Sequence, residues 1–225
     1  MTSGPQQSPT SPERTVNAGS RKYLRPEEVA RLRATSRARY LLAMERGGWV
    51  GVRDHVAVEL LVLSGVRVSG AASLTVRDLE LDTRPPALNV TLKGGGRGRI
   101  VIPRELRDLL RQWLDHRRRR GEDVTGASPL VPSSRGGAIT RSGLHRVWKG
   151  ALQRAGLPET FGTHAARHSF ATETYRRTRD LRLVQEQLGH RSPTTTAIYA
   201  AVLDEDKAAA AESIFTEDGE HATEE

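Results

Sequence analysis

From Asp54 to Leu63 the chain carries Val56, Ala57, Val58, Leu60, Leu61, Val62 and Leu63, with Glu59 as the one charge among them. A helix built from that run has almost no polar face to offer to solvent, so it has to be buried. Trp49-Val50-Gly51 leads into it, and Ser64-Gly65 ends it, since glycine accepts the backbone turn that closes a helix. At 225 residues the chain is long enough for one good-sized domain around such a helix, or for two small ones.

The remaining pattern fills in the surroundings. Residues 1–20 are rich in Ser, Pro, Thr and Gly and predict a disordered segment. Arg25-Pro26-Glu27-Glu28 places proline and acids in the first turn of a helix whose inward side is Val29 and Leu32. Short strands are predicted over residues 76–81, 87–92 and 99–102, with Lys93-Gly94-Gly95-Gly96-Arg97-Gly98 turning the chain between the last two. Pro103 opens a helix with Leu106, Leu109, Leu110, Trp113 and Leu114 on one face, closed by the arginine run 117–120. Further helices are predicted over residues 140–155, 163–176 and 181–188, around 194–200, and over 208–215. No internal repeat is present. The expected fold is α+β and mainly helical, with a small three-stranded antiparallel sheet. The expected division is a disordered 1–20, one compact domain over 21–203, and a segment 204–225 with a short helix and an acidic tail.

Charge narrows the partner. The net charge is +8, yet the tail from Asp204 onward holds nine acids and one lysine, which leaves +16 on the rest of the chain. A body of that charge predicts a polyanion, although only four of the 35 basic residues are lysine and an arginine-rich codon bias yields the same excess. Aromatic residues make up 4% of the chain, which disfavours a single-strand binder that stacks bases. No apolar stretch is long enough to cross a bilayer, and the polar start of the chain does not read as a secretory signal, so no membrane partner is expected and a cytoplasmic protein is the simplest reading. With no cysteine, disulfides and thiolate metal sites are excluded.

Four segments carry reactive side chains. His164 and Arg167 in His164-Ala165-Ala166-Arg167-His168-Ser169-Phe170-Ala171-Thr172 are spaced to share one helix face. A guanidinium can hold two phosphate oxygens while an imidazole beside it moves a proton. His164 and His168 are also spaced like a metal pair, but the zinc-protease pattern needs Glu where Ala165 stands, and no metal or other cofactor is expected. In Leu188-Gly189-His190-Arg191-Ser192-Pro193, Pro193 starts a helix that carries Tyr199 about two turns on. Alone, Tyr199 reads as a core or interface tyrosine and His190 as a helix cap. Arg67 in Gly65-Val66-Arg67-Val68-Ser69 sits just past the apolar helix, so close to buried surface that it needs a carboxylate or a bound anion. Lys93 alone is an ordinary turn lysine.

Taken together, in this order and spacing, these segments resemble the tyrosine recombinase (integrase) family. The family pattern is an Arg in G-x-R-x-S, a Lys on a β-hairpin, H-x-x-R-H-S-F-A-T, and L-G-H with Tyr nine residues further on; here these are Arg67, Lys93, His164, Arg167, His190 and Tyr199. The resemblance covers roughly residues 23–203, and it implies the catalytic domain of an enzyme that cuts and rejoins double-stranded DNA through a 3′-phosphotyrosyl bond, without metal. It implies Tyr199 as nucleophile, Arg67 and Arg167 as fixed cations on the phosphate, His164 as proton acceptor, Lys93 as general acid and His190 as a hydrogen-bond donor. Lys93, Arg97, Arg99, Arg141 and Arg191 are the expected DNA contacts. It also implies assembly into a tetramer on DNA, with the segment 208–215 packing on a neighbouring protomer. Type IB topoisomerase-like strand relaxation and a non-catalytic DNA-binding accessory role remain the alternatives. The chain departs from the pattern at Gly70, where the family usually has Glu. It also departs at the front, where family members usually carry a helical DNA-clamping domain; a minimal recombinase or part of a longer chain would each account for that.

Overall fold

The computed structural model describes residues 21–92 and 95–189. The elements in chain order are α1 (Pro26–Glu45), α2 (Trp49–Ser64), α3 (Val68–Ser73), a 3-10 turn (Val76–Asp78), β1 (Leu79–Glu80), β2 (Ala87–Thr91), β3 (Arg97–Val101), α4 (Arg104–Arg119), α5 (Arg141–Arg154), α6 (Thr163–Thr178) and α7 (Leu181–Leu188). Helices form most of it, with one antiparallel sheet in the order β1-β2-β3. The expected helices around 194–200 and over 208–215, and the expected disordered stretch 1–20, lie outside the described residues.

The apolar run does lie at the centre. From Gly51 to Ser64 every residue of α2 except Leu63 is buried. Helices α1, α4, α5 and α6 all pack on it, so each side of the helix meets another element. Burying a helix on all sides also buries its polar residues, and its charged residues and His55 all have partners. Glu59 takes two hydrogen bonds from Arg33 Nε (2.9 and 3.1 Å), His55 Nδ1 pairs with Ser36 Oγ at 2.9 Å, and Arg53 pairs with its neighbour Asp54 at 2.6 Å. Burial lowers the His55 pKa to about 4, helped by the charges of Arg33 and Arg37.

Helix α4 lays the predicted stripe on this core: Leu106, Leu110, Trp113 and Leu114 are buried, with Leu109 partly so. Its closing arginines do not all serve as solvated charges near a helix end. Arg117 is 3% exposed, bonded to Glu122 Oε2 (2.9 Å), Pro129 O (2.7 Å) and Asp123 O (3.2 Å), where it holds the following loop against the helix. The segment expected as a strand over 76–81 is mostly not one. Asp78 Oδ2 accepts from both the backbone N–H (2.9 Å) and the hydroxyl (2.7 Å) of Thr75, closing a turn that leaves two residues for β1. Helix α3 was not expected at all. Helix α6 runs two residues past its predicted end, to Thr178, and Arg179 then takes a left-handed φ of 55°.

Candidate active site

Three segments converge at the C-terminal end of α2. The helix ends at Gly65 with φ 60°, and a side chain there would also meet Phe170 Cδ1 at 2.5 Å, so glycine is required for the turn and for the close approach of α6. Two residues later Arg67 caps α3 in an extended conformation, half-buried, with Val66 (3% exposed) anchoring the loop beneath it. The Arg67 side chain has neither hydrogen bond nor ion pair among the described residues; its carbonyl accepts from Ala71 N at 2.8 Å. A guanidinium that close to buried surface and without a described carboxylate has its donors open to an anion.

Arg167, 6% exposed on α6, joins the segments. Its Nη1 donates to Gly65 O and its Nη2 to Leu188 O, both at 2.7 Å. One side chain thereby fixes the loop that presents Arg67, its own helix, and the end of α7 two residues before His190. The end of α7 is held from below by a small second core of Ala171, Tyr175, Val184 and Leu188, against which Phe170 packs. His164, one turn before Arg167, is exposed in the first turn of α6. His168 is half-buried; burial lowers its pKa first, followed by the positive field of His164, Arg167 and Lys22. The N-terminal segment that carries Lys22 is tied here too, because Leu24 N–H donates to Ser169 Oγ at 2.8 Å.

Of the six side chains to which the resemblance assigns chemistry, Arg67, His164 and Arg167 lie among the described residues; His164 and Arg167 share α6, and Arg167 is bonded to Gly65, two residues before Arg67. Lys93, His190, Arg191 and Tyr199 lie outside the described residues. Of the other expected DNA contacts, Arg141 is exposed at the start of α5, where Thr140 Oγ1 caps the helix by accepting from Gly143 N at 3.0 Å. Arg97 and Arg99 are also exposed, but each already pairs with an acid: Arg97 with Asp78 at 2.9 Å and Arg99 with Glu80 at 2.8 Å. Three participants went unnoticed in the sequence. The carbonyls of Gly65 and Leu188 carry no side-chain signature, and Lys22 lies far along the chain from the helix whose charge it influences. Among the described residues no three His, Asp or Glu side chains are grouped as a metal ion would need, and no helix is long and apolar enough to cross a membrane.

The chain belongs to the phage integrase family, whose model matches residues 22–206. Its fold is that of a tyrosine recombinase catalytic domain. It is 36% identical over 153 residues to the tyrosine recombinase XerD of Corynebacterium glutamicum, covering 68% of this chain and 49% of that protein. To the tyrosine recombinase XerC of Mesorhizobium japonicum it is 33% identical over 196 residues, covering 83% of this chain and 61% of that one. The chain thus spans roughly half to three-fifths of the length of these relatives. Among solved structures it is similar to the XerH site-specific recombinase in a post-cleavage complex with a palindromic difH substrate, with a TM-score of 0.69 and 27% identity over 90% of this chain and 56% of that one. The XerA recombinase gives a TM-score of 0.65 and 27% identity over 80% of this chain and 60% of that one.

Proposed function

We propose that this chain is the catalytic part of a site-specific recombinase that cleaves and rejoins strands of double-stranded DNA through a 3′-phosphotyrosyl intermediate on Tyr199. The observation that supports it best is the anion receptor at the end of α2: Arg67, half-buried and unpaired among the described residues, on a loop that Arg167 ties to α6 and to the residues leading into His190. A phosphodiester is anionic and resists attack, so the chemistry requires fixed cations and a positioned nucleophile. Arg67 and Arg167 supply the cations. The Tyr199 phenol oxygen bonds to phosphorus as the bond to the 5′-oxygen breaks; His164 takes the phenol proton, Lys93 protonates the leaving 5′-oxygen, and His190 donates to a non-bridging oxygen. The phosphotyrosyl link keeps the phosphodiester's energy, so a second strand's 5′-hydroxyl reverses the step without a nucleotide cofactor or a metal.

Residues 21–203 form the catalytic domain in this reading, with Lys93, Arg97, Arg99, Arg141 and Arg191 on DNA phosphates. Four copies assemble on the exchanging duplexes, in the cytoplasm. Covalent capture on nicked duplexes, enriched from a randomised pool by the wild-type protein, tests the proposal. Wild type should give an SDS-stable adduct that is insensitive to EDTA, and Tyr199→Phe should give none while binding the same duplex. An adduct with Tyr199→Phe, or none with wild type, would sink the assignment.

A further inference from the structure

The strand β2 runs Ala87–Thr91, and the next residue, Leu92, closes the hairpin: its N–H donates to Gly96 O at 2.7 Å and its carbonyl accepts from Gly95 N at 3.1 Å. Side chains alternate across a strand, so Leu92 shares the inward face with Leu88 and Val90. Beyond the edge of the sheet it meets two glycines. A Cβ on Gly98, across the hairpin on β3, would lie 2.8 Å from Leu92 Cδ2, and a Cβ on Gly189, just past the end of α7, would lie 2.5 Å from the same methyl. Both positions are thus vacated for one leucine side chain, and Gly189 also has φ 62°, which glycine adopts without strain. A second tie runs alongside: Gln187 Oε1 accepts from Val101 N on β3 at 3.2 Å. The hairpin is therefore braced on the end of α7 at its base by Gln187 and near its tip by Leu92.

The next residue after Leu92 is Lys93, and the next after Gly189 is His190. We propose that Leu92, wedged between Gly98 and Gly189, is a positioning residue for the reaction: it locks the end of β2, from which the chain runs into Lys93, against the end of α7, from which it runs into His190. This rests on the reading of Lys93 as general acid. The wedge works by close fit: the leucine side chain occupies the space that a Cβ at Gly98 or Gly189 would take, and it is the last described residue before Lys93. Misplacing a reacting group by about 1 Å costs on the order of a hundredfold in rate, so a slack wedge shows as slow leaving-group departure rather than as lost affinity.

The test uses the captured nicked duplex in two forms, one with the ordinary 5′-oxygen and one with a bridging 5′-sulfur, whose thiolate leaves without a proton. Leu92→Ala should slow cleavage of the oxygen substrate by about tenfold to a hundredfold at unchanged DNA affinity, and cleave the sulfur substrate at the wild-type rate. Gly189→Ala, whose new Cβ must evict the leucine methyl, should give the same substrate signature, and Leu92→Met, which can refill the seat, should keep most of the activity. Lys93→Ala serves as the reference. If Lys93→Ala is equally defective on both substrates, the general-acid reading fails and takes this inference with it. If Lys93→Ala is restored by sulfur while Leu92→Ala and Gly189→Ala either lose nothing or lose equally on both substrates, the wedge alone is refuted.

Discussion

Arginine marks both ends of α2, and it does different things at each. At the Trp49 end, Arg53 is bonded to Asp54 and lies 4.9 Å from the Trp49 ring centre, while Arg117 is sealed by Glu122 and two backbone carbonyls. Those cations are neutralised within the fold. At the Gly65 end, roughly 24 Å away at 1.5 Å per residue, the Arg67 side chain has no acid among the described residues, and Arg167 ties the backbone carbonyls of Gly65 and Leu188 together. Burial alone does not distinguish the two ends; the sign of the surroundings does. Where a guanidinium packs at the Trp49 end it meets a carboxylate; Arg67, proposed to hold a phosphate, has a side chain that meets none among the described residues.

The largest effect that could break this contrast belongs to Arg67. Arg67→Ala should reduce cleavage by about a hundredfold to a thousandfold with little change in thermal midpoint, and Arg67→Lys should recover part of it, since a point charge cannot span two oxygens. A thermal shift as large as the activity loss would make Arg67 a packing residue after all. Arg117→Ala should behave in the opposite way, losing about 3 kcal/mol of stability because the buried guanidinium stem and its bonds to Glu122 and two loop carbonyls are lost, at unchanged cleavage per folded molecule. Urea unfolding and single-turnover capture on the same preparation compare the two directly.

Between the ends, His55 gives a smaller effect that acid reveals. It stays neutral in the fold down to about pH 4, whereas in the unfolded chain it titrates near its usual 6.5. As pH falls through that window the unfolded state takes up a proton that the folded state refuses, so stability drops, by up to about 3 kcal/mol. Glu59, raised by burial against the opposing pull of Arg33, acts in the other direction. His55→Asn, which retains an acceptor for Ser36, should flatten the midpoint-against-pH curve between about 6.5 and 4; an unchanged curve would assign the acid limb to other groups. The smallest effects are those of Arg97 and Arg99, whose exposed pairs should contribute within about 0.5 kcal/mol. Alanine at either should leave the fold intact and reduce the salt slope of DNA binding by about one, the mark of one lost phosphate contact. An unchanged slope would leave them as sheet-edge pairs only.

How far the sequence reveals this molecule depends on the range of the interactions involved. Helix α2 was legible because its evidence is local: eight residues from Val56 to Leu63 with one charge admit few other readings. Helix α7 was predicted to the residue, since Asp180 caps it and Gly189 ends it. The stretch 76–81 misled because Val76, Leu79 and Leu81 suggest a strand, while the Thr75 and Asp78 side chains decide for a turn. Helix α3 has six residues and no apolar period to display. In the site, Arg67, His164 and Arg167 were legible as a set. Arg167's second task was not, because hydrogen bonds to Gly65 and Leu188 span 102 and 21 residues of sequence and end on backbone oxygens common to every residue type.

The burial of α2 on every side has a consequence for how such a chain can vary. Its interior tolerates exchange: Val56→Ala leaves a cavity and costs about 2 kcal/mol, a loss other substitutions can offset. Its length does not. Each residue in a helix advances the chain by about 1.5 Å and turns it by about 100°, so removing one between Gly51 and Ser64 rotates everything downstream by more than a quarter of a circle relative to the core. Arg67 would then face away from Arg167, and Gly65 would no longer meet Phe170. Insertions and deletions should accumulate in loops such as the one between β1 and β2, while α2 serves as a gauge block whose residue count is inherited unchanged even as its side chains drift.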